Sequence, residues 1–268
     1  MFLNIFLLLK DRNDNIKMEV DAKSLEIVRI ANCDVFVGAG IPTSWKRLFG
    51  GQTLSQSLMA AAETVPDNFM VHSIHAYFIL AGDCDKQILF DVERIRDGNS
   101  FKTRAVKALQ DSRAIFHLTA SFHRPEYGVE YQKPFERLST RKFAVIPAPE
   151  TFFSKSGDDE SKTIVRYTIT EGRDWKLCYV RVPSKVNGWQ MNCSMLAFLS
   201  DQGMVGMVRQ PHVDVQWSMS VSLDHSIHFH RPEKVHVDEW MIFYTSTLIS
   251  SGGRGTASTL VYNLEVSC

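Results

Sequence analysis

His72-Ser73-Ile74-His75-Ala76-Tyr77-Phe78 returns 153 residues later as His225-Ser226-Ile227-His228-Phe229-His230-Arg231. At the same offset, Arg96-Asp97-Gly98-Asn99-Ser100-Phe101 falls on the turn-like Ile249-Ser250-Ser251-Gly252-Gly253-Arg254. That spacing is too long for a solenoid repeat and suits a small domain, so the chain reads as two copies of one unit.

Around the first copy of the motif the hydrophobic period changes. Thr53 to Val65 places Leu54, Leu58, Ala61 and Ala62 on one helical face, and Pro66-Asp67-Asn68 closes that helix. Val71–Leu80, Gln87–Arg96, Phe101–Gln110 and Ala114–His123 then read as strands, with turn chemistry at 96–99 and 111–113. One helix followed by several antiparallel strands predicts a sheet wrapped around a central helix. The second copy repeats the plan: a strand near Ile164 to Thr170, a helix over 190–202, and strands over 219–231, 239–249 and 256–264. The expected divisions are an extension over 1–24, a first unit over 25–142, a polar connector over 143–163 and a second unit over 164–268.

With the repeat as a ruler, the strand ending near Phe122 has no counterpart in the second copy, because position 268 maps back to 115, just inside that strand. The second unit is therefore expected to lack its closing strand. An unpaired edge of that kind favours association, which predicts a homo-oligomer.

Composition narrows the classes. With 30 basic and 30 acidic residues, the chain has no charge excess with which to grip nucleic acid. Five scattered cysteines fit neither a disulfide framework nor a zinc site and point to a reducing compartment. The apolar start, Met1 to Leu9, is far shorter than the roughly 20 residues a spanning helix needs. It is expected to form a loosely packed extension, with Met18 as an alternative start.

Several motifs together resemble the acyl-CoA thioesterase II family, in its bacterial and peroxisomal branch. They are Phe49-Gly50-Gly51-Gln52, Val71 to Phe78, Gly82-Asp83, Arg96 to Phe101, Thr119 to Phe122, Leu223-Asp224-His225-Ser226 through Pro232, and Arg254-Gly255. The resemblance implies an α+β double hotdog fold and hydrolysis of fatty acyl-CoA to free acid and CoA, without metal, other cofactor or covalent intermediate. It also implies an acyl-CoA partner and a peroxisomal matrix location, with the cytoplasm as the alternative because no Ser-Lys-Leu address stands at the end of the sequence.

The family's catalytic set, carried over residue by residue, gives Asp201 on the second helix and Ser222 two residues before Asp-His-Ser. Its third member, a Gln on the closing strand, has no matching position here. The chemistry accounts for the residue types: water attacks a thioester slowly at neutral pH, so a carboxylate must take its proton while neighbouring polar groups orient it. Backbone N–H groups at a hotdog helix start would stabilise the oxyanion.

Each choice has a plainer rival: Asp201 as a helix terminator before Gly203, and Ser222 as an ordinary strand serine. Gly51, a substrate-binding candidate together with His72 and His75, is expected with Gly50 to permit close approach at the helix start. His72 and His75, three apart on a strand, are expected on opposite faces, one packed and one lining the pocket. His225, His228 and His230 read as structural. Arg104, Lys107, Arg137, Arg141 and Lys142 are the basic residues considered for the CoA phosphates. The rival function is a catalytically impaired hotdog that binds acyl-CoA or a partner subunit. A hydratase ranks below both, since only His212 stands near the second helix.

Overall fold

A computed structural model describes residues 1–8, 22–44, 46–132 and 164–264. Strand β1 spans Phe2–Leu8. β2 (Ile27–Arg29) and β3 (Val35–Gly38) lead to helix α1 (Gly50–Ala62), followed by β4 (Met70–Phe78), β5 (Ile88–Asp97), β6 (Phe101–Gln110) and β7 (Arg113–His123). The second copy supplies β8 (Val165–Glu171), β9 (Trp175–Arg181), helix α2 (Trp189–Asp201) and the short helix α3 (Met204–Arg209). It ends with β10 (Met219–His228), β11 (Met241–Ser251) and β12 (Arg254–Asn263).

The helix runs three residues earlier at both ends than the sequence pattern suggests. Gly50 and Gly51 enter the first turn, where unpaired N–H groups carry little cost if a polar group meets them. Twelve of the thirteen α1 residues are buried, so the helix is enclosed rather than amphipathic. Its two glutamines are hydrogen-bonded inside, whereas the Ser55 and Ser57 hydroxyls have no partner. Gln52 accepts a hydrogen bond from the Ile41 N–H at 3.0 Å and donates to the Ala39 carbonyl at 2.7 Å. The β6–β7 turn holds Asp111 and Ser112 at φ 49° and 61°, left-handed values suited to a tight hairpin.

The two expected sheets are continuous. Their strands form one 12-stranded sheet in the order β2-β3-β5-β6-β7-β4-β10-β1-β12-β11-β9-β8. The halves meet where β4 pairs antiparallel with β10, Ile74 opposite Ile227. α1 and α2 lie against each other, with Phe49 and Phe198 edge to face at 5.0 Å. A single core joins Leu54, Phe122, Phe198 and Phe243 across both halves.

The sheet order corrects one expectation. β7 lies between β6 and β4, and the equivalent place in the other half, between β12 and β10, is taken by β1. Phe2–Leu8 pairs antiparallel with both neighbours, Leu3 opposite His225 on one side and Ala257 on the other. Leu3 is fully buried beside Met204, Met207 and Val208. The start of the chain is thus a central strand rather than an appendage, hydrogen-bonded along both edges. With that slot filled, the broken-edge argument for a homo-oligomer no longer holds. The connector expected over 143–163 lies outside the described residues. β9 and α3, absent from the sequence reading, complete the second half.

Candidate active site

Asp201 is the last residue of α2, and its carboxyl group reaches the first turn of α1. Two glycines make this approach feasible. A Cβ on Gly50 would stand 2.9 Å from Asp201 Oδ2, and one on Gly51 would stand 2.7 Å from the Phe198 carbonyl oxygen. The carboxyl thus occupies the negative end of its own helix and the positive end of the other.

Burial pushes the Asp201 carboxyl up to about 6, while the Gly51 N–H and the Ser222 hydroxyl, which favour the charged form, draw it partly back. Asp201 is 6% exposed. Its Oδ1 has no hydrogen-bond partner. A carboxyl group that ionises near neutrality can hold a proton or take one, the property required of a general base.

Asp201, Ser222, Gly50 and Thr53 line one cavity of about 2160 Å³, walled further by Phe78, Ile115, Met207 and Trp217. The structure therefore brings Asp201 and Ser222 together, with Gly51 against the carboxyl. Among the cavity's basic residues are Arg47, Arg173 and Arg209, each far from the others in sequence. Arg209 donates twice to Ser220 Oγ, at 3.0 and 2.8 Å. Sequence reading missed this group because only the fold collects it.

Neither His72 nor His75 lines that cavity. The register between β4 and β7 slips between Val71 and Ser73, so the strand bulges at His72. Its ring lies 2.8 Å from Ser121 Oγ, on the side away from the buried Ala120 and Phe122. His75 is exposed and pairs loosely with Asp224 at 4.0 Å.

Arg104 is also placed elsewhere. It is fully buried and spends its donors on Thr64, Arg96, Thr103 and Asp97, a structural network rather than a phosphate site. Lys107 is exposed on β6. Residues 137, 141 and 142 lie outside the described residues.

The closing-strand position holds β1, with sequence Phe-Leu-Asn-Ile-Phe-Leu-Leu. Ile5 is the residue in register with Ser222. Asn4, the strand's sole amide side chain, is in register with Asp224 and Thr256. Asp83, Cys84 and Asp85 cluster closely, and none of them lies on the cavity wall.

Two family models match the halves separately. One, described as an acyl-CoA thioesterase N-terminal domain, covers residues 41–123, and the other, acyl-CoA thioesterase, covers 179–263. Acyl-coenzyme A thioesterase 8 of Mus musculus is 30% identical over 285 residues, covering 91% of this chain and 85% of that protein. The peroxisomal acyl-coenzyme A thioester hydrolase 1 of Saccharomyces cerevisiae is 43% identical over 75 residues, 28% of this chain and 22% of the yeast protein. The crystal structure of acyl-CoA thioesterase II TesB2 from Mycobacterium marinum superposes with a TM-score of 0.73 at 25% identity, covering 90% of this chain and 91% of that one. No helix among the described residues is long and apolar enough to cross a membrane. On the family models and the full-length relative alike, the chain belongs to the acyl-CoA thioesterase family.

Proposed function

We propose that this protein hydrolyses acyl-CoA to free acid and CoA, with Asp201 as the base that activates water and Ser222 as the hydroxyl that orients it. The observation that carries the reading is the buried carboxyl on the cavity wall, raised to about 6 and flanked by Ser222.

Water loses a proton to Asp201 as its oxygen bonds to the acyl carbon, and the carbonyl π pair moves onto oxygen. When the carbonyl re-forms, the C–S bond breaks and the proton passes from Asp201 to the departing sulfur. Atoms and charge balance at each step, and the carboxylate is regenerated. The first turn of α1, whose Gly51 N–H already faces Asp201, supplies positive dipole for the oxyanion through its N-terminal end.

The cavity exceeds the usual few hundred to 1,000 Å³ of a small-ligand site and suits a long ligand with a nucleotide at one end and an acyl chain at the other. Arg47, Arg173 and Arg209 supply positive charge for CoA phosphates, and Phe78, Ile115 and Met207 supply apolar wall for the chain. For location we infer the peroxisomal matrix, supported by the named location of the yeast relative. Fractionation of untagged protein that placed it wholly in another compartment would reject that inference.

The closing strand contains no Gln, and this favours a second reading: a slow or silent enzyme that binds acyl-CoA. Release of CoA thiol from an acyl-CoA chain-length series separates the two. Release that Asp201→Asn abolishes supports hydrolysis by the stated mechanism. Saturable binding of a non-hydrolysable analogue without release from wild type supports the second reading.

A further inference from the structure

One buried group at the centre of this site has no part in the steps above. His225 lies on β10, 0% exposed, and its Nδ1 has no hydrogen-bond partner. Asp201 Oδ1 is likewise unpartnered, and the two atoms stand 3.9 Å apart.

The ring's other nitrogen fixes its tautomer. Ser200 Oγ donates its single hydrogen to the Ala197 carbonyl at 2.7 Å. Its 2.9 Å contact with His225 Nε2 must therefore be donated by the ring. Nδ1 is left as a bare lone pair facing a carboxyl oxygen. Two acceptors oppose each other, a repulsive pair while Asp201 is ionised and a pair short of one hydrogen when it is not.

The order Ser200–His225–Asp201 could also describe a nucleophile triad. Ser200, however, is 2% exposed, absent from the cavity wall, and its hydrogen is committed to Ala197. The geometry instead points to an acceptor.

We propose that His225 is a positioning residue for Asp201, its Nδ1 receiving the hydrogen that Asp201 carries once it has taken a proton from water. This rests on the reading of Asp201 as the base. The proton arrives on the oxygen nearer Gly50, and a half-turn of the carboxyl about Cβ–Cγ, a broad two-fold torsion, brings it to the ring. Closing 3.9 Å to hydrogen-bond length takes a shift of about 1 Å. The proton stays on Asp201 until the thiolate leaves and takes it; His225 gains and loses none.

The surroundings suit that role. From α1 the Gly51 N–H faces Asp201, and from β10 the Ser222 hydroxyl does so, both favouring the charged form. Arg166 donates to the Leu199 carbonyl at 3.1 Å. Burial, aided by the positive Met1 amine, holds the His225 ring down at about 3, so it stays neutral and accepting through the assay range. His225 thus opposes Gly51 and Ser222.

The test is the pH profile of kcat/KM for wild type, His225→Gln, His225→Asn and Asp201→Asn. Gln keeps a donor where Nε2 meets Ser200 and removes the acceptor facing Asp201; Asn places an amide oxygen close to the Nδ1 position. His225→Gln is expected to lower kcat about 10- to 100-fold at nearly unchanged KM and to move the acid limb down by about one pH unit. His225→Asn should recover part of kcat and hold the limb near its wild-type position. A folded His225→Gln protein with wild-type kcat and limb overturns the assignment. So do equal losses in both variants with an unmoved limb, the mark of a purely structural ring. If Gln does not fold at this site, Asn decides alone: kcat within about 10-fold of wild type with an unmoved limb supports the proposal, and a larger loss or a one-unit drop overturns it. Should Asp201→Asn hydrolyse acyl-CoA at the wild-type rate, the base itself is misassigned, a failure separate from that of His225.

Discussion

The two halves of this molecule share a plan and differ in what they put at its key positions. Each wraps six strands of the common sheet around a helix, β2 to β7 around α1 in one and β8 to β12 with β1 around α2 in the other. The last residue of α2 is Asp201, whereas the last residue of α1 is the buried Ala62. His225 faces the helices, but its repeat partner His72 is turned outward by a bulge. The junction that carries a carboxyl is that of the α2 end with the α1 start. The silent half serves the other through Gly50 and Gly51, which allow the approach and lend an N–H.

The halves differ again in how each is closed, and this difference carries the largest expected effect. β7 follows β6 through a two-residue turn, while β1 comes from the opposite end of the chain. A chain begun at Met18 would lose the backbone bonds of β1 to both neighbours and the burial of Leu3. At about 1 kcal/mol net for each ladder bond, the loss is about 5–10 kcal/mol, the whole stability of an ordinary domain. Thermal or urea unfolding should show the second half unfolded or the protein aggregated through its open slot. A peptide of residues 1–8 added in trans should restore the transition. An undiminished melting temperature without the peptide would mean that β1 is dispensable to the fold.

Next in size is the loss of rate in Asp201→Asn, about 10²- to 10⁴-fold in kcat for acyl-CoA hydrolysis. The reciprocal change, Ala62→Asp, should yield no second site, since the start of α2 carries Gly188-Trp189 where α1 begins with the pair Gly50-Gly51. It should instead destabilise by about 2–4 kcal/mol through an unpaired buried carboxyl. Measurable hydrolysis by Ala62→Asp/Asp201→Asn would show the halves to be chemically interchangeable.

Much of this asymmetry was written in the sequence, though not all of it legibly. Strands β4 to β7 are legible through alternating residues and turn chemistry, whereas Asp201 and Ser222 are named only by what the family resemblance implies. β1, apolar except at Asn4, lacks the alternation by which a half-exposed strand is recognised, so periodicity gives no strand signal there. Its length was the available clue: seven residues are too few for a membrane span and ordinary for a buried strand. The outward turn of His72 depends on a one-residue bulge, which strand periodicity does not encode. Arg47, Arg173 and Arg209 are brought to one wall by tertiary structure alone.

Asp201→Asn should also separate stability from activity. The carboxyl has a folded-state pKa of about 6, above its unfolded value, so the folded protein binds that proton more tightly. Folding stability from this group is therefore greatest below the unfolded pKa and declines as pH rises toward 6. Above that pH the wild type holds a buried charge at a cost of up to about 3 kcal/mol, which Asn avoids. The inactive variant should melt higher than wild type at pH 8, with the gap shrinking toward pH 4. A variant that melts lower at both pH values would show that the charge is better solvated than its burial implies.

The smallest effect is the most discriminating. Ser222→Ala removes one orienting hydroxyl and should lower kcat about 10-fold, with Ser222→Thr recovering most of it. Because the Ser222 hydroxyl favours the charged carboxyl, its loss should also move the acid limb of kcat/KM upward. His225→Gln is expected to move the same limb downward, since it removes the lone pair that disfavours that charge. Opposite shifts from two side chains of one strand would locate the titrating group between them, where Asp201 lies. Shifts of the same sign would mean that the limb reports some other group, and that the asymmetry between Asp201 and Ala62 is not what sets the rate.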